Sequence, residues 1–169
     1  MYAGGSERRG EALKLRALVI VALTIVVGGC GGATASPSPV VAEDSSGPFR
    51  LELKLSRPDW HATESIPGQA TLSLVGVDKL TYGSTASGPI IFWFQEVGGT
   101  REFREPSAAN CQERTLEADK PVVVPIKFPD PTLELPVGTW RITALTQVNA
   151  NGICPNGGPS ATVEGHVIP

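Results

Sequence analysis

Hydrophobic and polar residues alternate strictly in one segment of the chain. Between Phe49 and Ser56, every second residue is Phe or Leu, and the residues between them are Arg, Glu, Lys and Ser. A period of two residues is typical of a β-strand that buries one face and exposes the other. The segment therefore predicts a half-buried strand at the start of a folded region.

Further strands are predicted wherever alternating, β-branched or aromatic residues lie between turn residues. These segments are residues 69–75, 90–97, 100–105, 115–117, 122–128, 139–148 and 161–167. The intervening segments are rich in Gly, Pro, Ser and Asn, which predicts turns and loops. They are residues 57–68, 76–89, 106–114, 129–138 and 149–159.

Three of these strands have an expected position in a sheet. Segment 90–97 starts with apolar residues on both faces, so we expect a central strand with Trp93 or its neighbours in the core. The pair Gly98-Gly99 predicts a tight hairpin into segment 100–105, whose charges suit a sheet edge. Pro125 lacks a backbone donor, so its strand is expected at an edge or a bulge.

The fold class follows from the absence of any segment with a helical period. We predict an all-β domain of about seven antiparallel strands arranged as a sandwich. The stretch Leu-Pro-Val-Gly-Thr-Trp-Arg-Ile-Thr-Ala at 135–144 resembles the entry to a late strand in bacterial immunoglobulin-like and fibronectin-like domains. The resemblance implies an immunoglobulin-like β-sandwich and carries no information on activity.

The first 30 residues have the organisation of an export signal. A leader with more basic than acidic residues precedes an apolar run at 17–27, and Gly28, Gly29 and Cys30 follow it. Basic, apolar and small-residue regions in this order are typical of a secretory signal peptide. The apolar run of 11 residues is short for a transmembrane helix, which needs about 20.

The sequence Val27-Gly28-Gly29-Cys30 resembles the lipobox of bacterial lipoproteins. The resemblance implies that Cys30 receives a diacylglycerol on its thiol and that a signal peptidase removes residues 1–29. The exported chain would then be anchored at the outer face of the cell membrane or elsewhere in the envelope of a bacterium. An ordinary cleaved signal peptide and an uncleaved anchor helix are the alternatives.

The domain organisation and charge follow from this assignment. Residues 30–48 are mostly small or proline, and we expect a lipid-anchored, disordered Ser/Pro-rich linker before a sandwich domain at 49–169. From residue 30 onwards, ten Lys and Arg oppose fifteen Asp and Glu, and 10 − 15 gives a net charge of −5. No basic run could neutralise several phosphates, so a nucleic-acid partner is not expected.

The remaining cysteines predict a disulfide and a possible binding surface. With Cys30 assigned to lipid, Cys111 and Cys154 form an even pair in an exported chain, which favours a disulfide over two free thiols. If successive strands run up and down, loop 76–89 and the two predicted cysteine loops meet at one end of the sandwich. Such a crosslinked loop cluster is a candidate site for a protein or glycan partner, or is only a stabilised end.

No catalytic, cofactor or metal site is predicted. Asp59, His61 and Glu64 lie close in sequence, but three polar residues in a turn usually form only a solvated turn. His166 is the other histidine, and no nucleophile-elbow or metalloprotease motif occurs. We therefore expect no enzymatic activity.

The leading hypothesis is a lipid-anchored envelope protein with a non-catalytic binding or structural module. A second hypothesis is a proteinase inhibitor, because Pro67-Gly68-Gln69, an aromatic strand and Gly138-Thr139-Trp140 occur in an order similar to the intracellular proteinase inhibitor family. The motif residues between these elements do not match that family. A third hypothesis is a hydrolase whose site is assembled from residues far apart in sequence.

Overall fold

The computed structural model describes residues 37–108, 110–128, 134–151, 154 and 157–169. The predicted signal peptide at 1–29 and the predicted lipidation residue Cys30 lie outside these ranges. All regular secondary structure in the described ranges is β-strand, in agreement with the predicted all-β class. These ranges contain no apolar helix of membrane-spanning length.

Twelve strands are formed by the described residues. They are β1 (Val40–Ser46), β2 (Phe49–Leu55), β3 (Asp59–His61), β4 (Gly68–Leu74), β5 (Lys79–Thr85), β6 (Ile90–Glu96), β7 (Glu102–Arg104), β8 (Cys111–Glu117), β9 (Val122–Pro125), β10 (Gly138–Thr146), β11 (Val148–Asn149) and β12 (Ser160–Ile168).

The strands form three sheets. Sheet A has the order β1-β2-β4-β9, sheet B has the order β3-β12-β10-β6-β7, and sheet C has the order β11-β5-β8. Neighbouring strands are antiparallel throughout, except that β3 runs parallel to β12. The structure is thus built from several antiparallel sheets.

Sheets A and B face each other across one hydrophobic core. In β2, the alternation seen in the sequence puts Phe49, Leu51, Leu53 and Leu55 inside, each at most 3% exposed. Every second residue of β12 is buried in the same way. The largest fully buried side chains include Trp60, Trp140, Phe92 and Phe94, all from sheet B. Period-two burial on facing sheets therefore fixes which face of each strand turns inward.

The two ends of this core differ, and we name them by the strands that meet there. The entry end is where β1 begins at Val40, β10 begins at Gly138 and β12 ends at Ile168. The cap end is where β4 and β10 end and β6 begins. Sheet C lies at the cap end, because β5 leads from the end of β4 to the start of β6.

Sheet C closes the core at the cap end. Tyr82 of β5 and Leu116 of β8 are each 1% exposed. The ring of Tyr82 meets the ring of Phe49 edge to face, with centroids 5.6 Å apart. An aromatic pair of this geometry is favourable beyond the area that it buries. The sheet therefore excludes water from one end of the core.

All eight predicted strand segments are present, and the predicted edge positions agree with the sheets. The eight predicted segments correspond to β2, β4, β6, β7, β8, β9, β10 with β11, and β12. Strands β7 and β9 lie at sheet edges, as the charges of β7 and Pro125 of β9 predicted. Gly98, with a φ of 77°, lies in the hairpin between β6 and β7. The count of about seven strands was too low, since β1, β3 and β5 were not predicted.

The linker predicted at 30–48 is too long at its C-terminal end. Residues 40–46 form β1, which pairs with β2 from Val40 opposite Leu55 to Ser46 opposite Phe49. Most of β1 is exposed, so its sequence lacks the apolar alternation by which β2 was recognised. Backbone hydrogen bonds to β2 and the turn at Gly47, whose φ is 58°, hold it instead. The folded domain therefore starts no later than Val40.

Two further predicted loops contain strands. Residues 79–85 of the predicted loop 76–89 form β5, and residues 59–61 of the predicted turn 57–68 form β3. In β5, Ser84 and Thr85 are buried, although small polar residues usually indicate a loop. Tertiary pairing with β8 and β11 overrides that local preference.

The close approach of Gly165 and Trp60 allows the packing of the core to be tested by a substitution. A Cβ on Gly165 would lie 2.4 Å from Trp60 Cζ3 and 3.0 Å from the Pro58 carbonyl oxygen. We expect Gly165→Ala to lower the free energy of unfolding by about 1 to 3 kcal/mol, because the indole cannot move out of a filled core. Urea denaturation measures the change.

The exposed residue Ser160 of the same strand supplies the control. Ser160→Ala should change the free energy of unfolding by no more than about 0.5 kcal/mol. Equal stabilities for the two variants would contradict close packing of Trp60 on β12.

Candidate functional site: the disulfide-bonded end

The cap end carries the pair of cysteines that the sequence singled out. Cys111 and Cys154, separated by 43 residues in the sequence, are joined as a disulfide with their Cα atoms 5.1 Å apart. Both residues are exposed. Cys111 is the first residue of β8, so the expectation that both cysteines lie in loops is wrong for Cys111. The bond therefore ties the start of an edge strand to the segment that follows β11.

Loop 76–89 and the two cysteine segments were expected at one end of the domain, and they do meet at the cap end. Cys111 lies opposite Thr85 in the pairing of β8 with β5. The Ala86 amide donates to the Asn110 carbonyl oxygen at 2.9 Å, and Val148 of β11 lies opposite Ser84. The disulfide therefore crosslinks segments that backbone pairing already holds together.

Hydroxyl groups fix the turns around this pair. Thr85 Oγ1 donates to the Gly88 carbonyl oxygen at 2.9 Å. Ser87 Oγ accepts from the Ala108 amide at 3.1 Å, and Ser107 Oγ donates to Gln147 Oε1 at 3.3 Å. These bonds connect segment 85–88, segment 106–108 and the β10–β11 junction. These three described segments are thus fixed relative to one another.

Below this surface lies a charged side chain that the sequence analysis missed. Arg114 of β8 lies opposite Tyr82 of β5. Its Nη2 donates to Gln112 Oε1 at 3.1 Å and to the Ala86 carbonyl oxygen at 3.5 Å. Its Nε is buried and has no hydrogen-bond partner among the described residues. No sequence signal marked Arg114, because its role depends on β5, which was read as a loop.

The buried position of Tyr82 changes the acidity of its hydroxyl group. Burial raises the pKa of the Tyr82 hydroxyl, and the charge of Arg114 partly opposes that rise. The phenol therefore stays protonated at neutral pH, and Arg114 is not neutralised by a tyrosinate. A positive charge held just below the disulfide-bonded surface is suited to polar or anionic groups of a partner.

This end therefore offers binding groups. The described side chains here supply hydroxyl, amide and guanidinium groups, from Ser87, Ser107, Gln112, Arg114 and Gln147. Both histidines of the chain lie near the entry end instead, in β3 and β12. The arrangement provides hydrogen-bond donors and acceptors on a rigid frame, as binding loops do.

Two of the three candidate metal residues Asp59, His61 and Glu64 are used in other contacts. Glu64 Oε2 lies 2.5 Å from Arg57 Nη2 and also accepts from the His61 amide at 3.2 Å. The His61 ring Nδ1 lies 2.5 Å from the Pro169 carbonyl oxygen. Within the described ranges, no group of three potential ligands could hold a metal ion.

A groove lies at the entry end. It has a volume of about 560 Å³ and is lined by apolar side chains, among them Trp60, Ile126 and Leu135, with Glu64 and Glu134 also in its wall. Neither histidine lines it, and the His166 ring Nδ1 lies 3.0 Å from Thr139 Oγ1. The groove and the histidines therefore do not form a common site.

Comparison with protein-family models, with curated proteins and with solved structures gives no match. The role of the disulfide-bonded end is therefore argued from its own geometry.

The disulfide itself can be tested by removing it. Replacing both cysteines, Cys111→Ser with Cys154→Ser, opens a loop of 43 residues. We expect the free energy of unfolding to fall by about 3 to 4 kcal/mol, because the unfolded chain regains the entropy that the crosslink removed. Urea denaturation of the oxidised wild type and the double variant measures the loss.

The reduced wild type is the matched control, since it lacks the bond but keeps both side chains. Its stability should equal that of the double variant. A double variant as stable as the oxidised protein would show that the bond does not constrain the unfolded chain.

Proposed function

We propose that the chain is a lipid-anchored lipoprotein of the bacterial cell envelope, with an immunoglobulin-like sandwich as its folded domain. In this proposal the domain is a non-catalytic module, and its disulfide-bonded cap end binds a protein or glycan partner. The membrane is contacted through lipid on Cys30. No cofactor is required.

The lipobox supports the anchor. Val27-Gly28-Gly29-Cys30 follows a basic leader and an apolar run of 11 residues, an order that export and lipidation both need. The bonded pair of Cys111 and Cys154 is consistent with an oxidising compartment. Cys30 is then the one cysteine left for lipid.

The layered sheets support the immunoglobulin-like assignment. Antiparallel sheets A and B enclose one core, and the connections between strands lie at the two ends. In immunoglobulin-like domains, binding loops cluster at one end of such a sandwich. The cap end has the same relation to the sheets.

The observation that carries the proposal is that the chain enters the domain at the end opposite the disulfide. The chain enters the domain at Val40, at the entry end, whereas Cys111 and Cys154 lie at the cap end. A strand of nine residues such as β10 spans about 30 Å. A lipid on Cys30 would therefore be joined to the domain through its entry end, about one strand length from the crosslinked surface.

The intact mass of the membrane-extracted protein tests the proposal. After expression in a bacterium, we expect the mass of residues 30–169 plus a diacylglycerol, because cleavage precedes the acylated Cys30. Iodoacetamide should add nothing before reduction. After reduction it should modify Cys111 and Cys154 only, since a thioether blocks the third of the three cysteines.

Cys30→Ser is the control for this measurement. It removes the acceptor thiol but leaves Cys111 and Cys154 unchanged, so the variant should lose the lipid mass and keep the disulfide. A wild-type mass that includes residues 1–29, or a free thiol on Cys30, would overturn the lipoprotein assignment.

A further inference from the structure

We infer that the domain also touches the lipid bilayer directly, through three exposed aliphatic side chains at the entry end. These residues, Val97, Val137 and Ile168, are named here the rim patch. The inference rests on the proposed lipid anchor, because the anchor brings this end to the membrane. It adds a second, non-covalent membrane contact made by the folded domain.

Strand register brings the three residues together. The Val97 amide donates to the Thr139 carbonyl oxygen at 2.9 Å, just beyond the paired ends of β6 and β10. Gly138 lies opposite Val167 in the last pair of the β10–β12 ladder, so Val137 and Ile168 both lie one residue beyond that pair. Ile168 is an exposed position of β12, and Val97 and Val137 lie one residue outside β6 and β10; all three side chains are exposed.

All three side chains are exposed in the folded domain. Val97 is 41% exposed, Val137 is 52% exposed and Ile168 is 38% exposed. Single exposed aliphatic residues are ordinary, whereas several at one end of a domain form a candidate contact surface. Thr139, which lies opposite His166, separates Val97 from Ile168 across the sheet. Aliphatic side chains at a domain surface can enter the boundary between lipid headgroups and acyl chains.

The backbone under the patch is held in place. The Trp140 indole Nε1 donates to the Pro136 carbonyl oxygen at 2.8 Å, which fixes the turn that carries Val137. The Ala62 amide donates to the Ile168 carbonyl oxygen at 3.2 Å, which ties the end of β12 to the chain after β3. The patch is therefore presented without loss of backbone entropy on contact.

Two carboxylates at the entry end are paired with guanidinium groups. Glu96, at the end of β6, accepts from Arg101 Nε at 2.8 Å, and Glu64 is paired with Arg57 at 2.5 Å. Arg101 holds the pKa of the Glu96 carboxyl below its usual value, mainly through their side-chain hydrogen bond. These two carboxylates are compensated by guanidinium groups, which also suit lipid phosphates.

If a lipid on Cys30 holds the domain close to the bilayer, a weak contact by the rim patch is sufficient to keep the patch at the membrane. Ten positions separate Cys30 from Val40, since 40 − 30 = 10, and they span at most about 35 Å. A domain confined that close to the bilayer experiences an effective lipid concentration in the range of about millimolar. The three aliphatic side chains therefore do not have to bind the membrane without the help of the lipid on Cys30.

Two tryptophan substitutions test the contact in the full-length, lipidated protein. Val137→Trp places a probe in the rim patch, and Val75→Trp places the same probe at the cap end. The wild-type side chains are matched, at 52% and 51% exposed. Each protein is reconstituted into vesicles of phosphatidylglycerol and phosphatidylethanolamine, with or without brominated acyl chains.

We expect bromine to quench the added emission of Val137→Trp about twofold more than that of Val75→Trp, because the rim patch enters the acyl boundary. The native tryptophans contribute equally to both and are subtracted with the wild type. Adding Val97→Ser and Ile168→Ser to Val137→Trp should lower its quenching towards the Val75→Trp level. Circular dichroism and the oxidised disulfide verify that each variant is folded.

Equal quenching of the two probes in lipidated protein would overturn the contact and leave the proposed anchor standing. A blue shift of Val137→Trp without quenching, growing with protein density, would also overturn it, since a second copy would then cover the patch. An intact mass without lipid on Cys30 would overturn the anchor and the contact together.

Discussion

The burial of every second residue in facing strands is the constraint on which the domain depends. In β2 and β12, a shift of one position would turn Leu53 or Val163 outwards and bring Lys54 or Glu164 into the core. The described part of the chain has no helix to cover a sheet face, so each sheet can be covered only by another sheet. Facing sheets, a single core and two open ends follow from that condition.

An open end of such a core must be closed, and sheet C closes the cap end. Tyr82 and Leu116 contribute the apolar cover, while Ser84 and Thr85 are buried beside them. The buried Thr85 hydroxyl donates to the Gly88 carbonyl oxygen at 2.9 Å, so its burial is compensated. Strand β5 thus both closes the core and positions the turn beside the disulfide. The stability of the core and the geometry of the cap end therefore depend on the same strand.

The sequence predicted the strands whose pattern is local and failed where partners are distant. Residues 49–55 show their alternation directly, whereas β1 and β5 are strands only because β2 and β8 pair with them. The disulfide could be predicted from an even count of cysteines after Cys30 was assigned to lipid. Arg114 could not, because nothing in Gln112 to Thr115 indicates that a buried tyrosine lies opposite.

The separation of the two ends has a simple topological origin. β1 runs from the entry end towards the cap end, and the antiparallel β2 returns along it, so a chain entering at Val40 starts far from sheet C. The disulfide lies beyond the last residues of β10, at the cap end. The proposed ligand contacts at the cap end and the proposed membrane contacts at the entry end would therefore use different side chains. Changes in loops 86–89 and 106–108 can alter the proposed binding surface while the core and the rim patch stay unchanged.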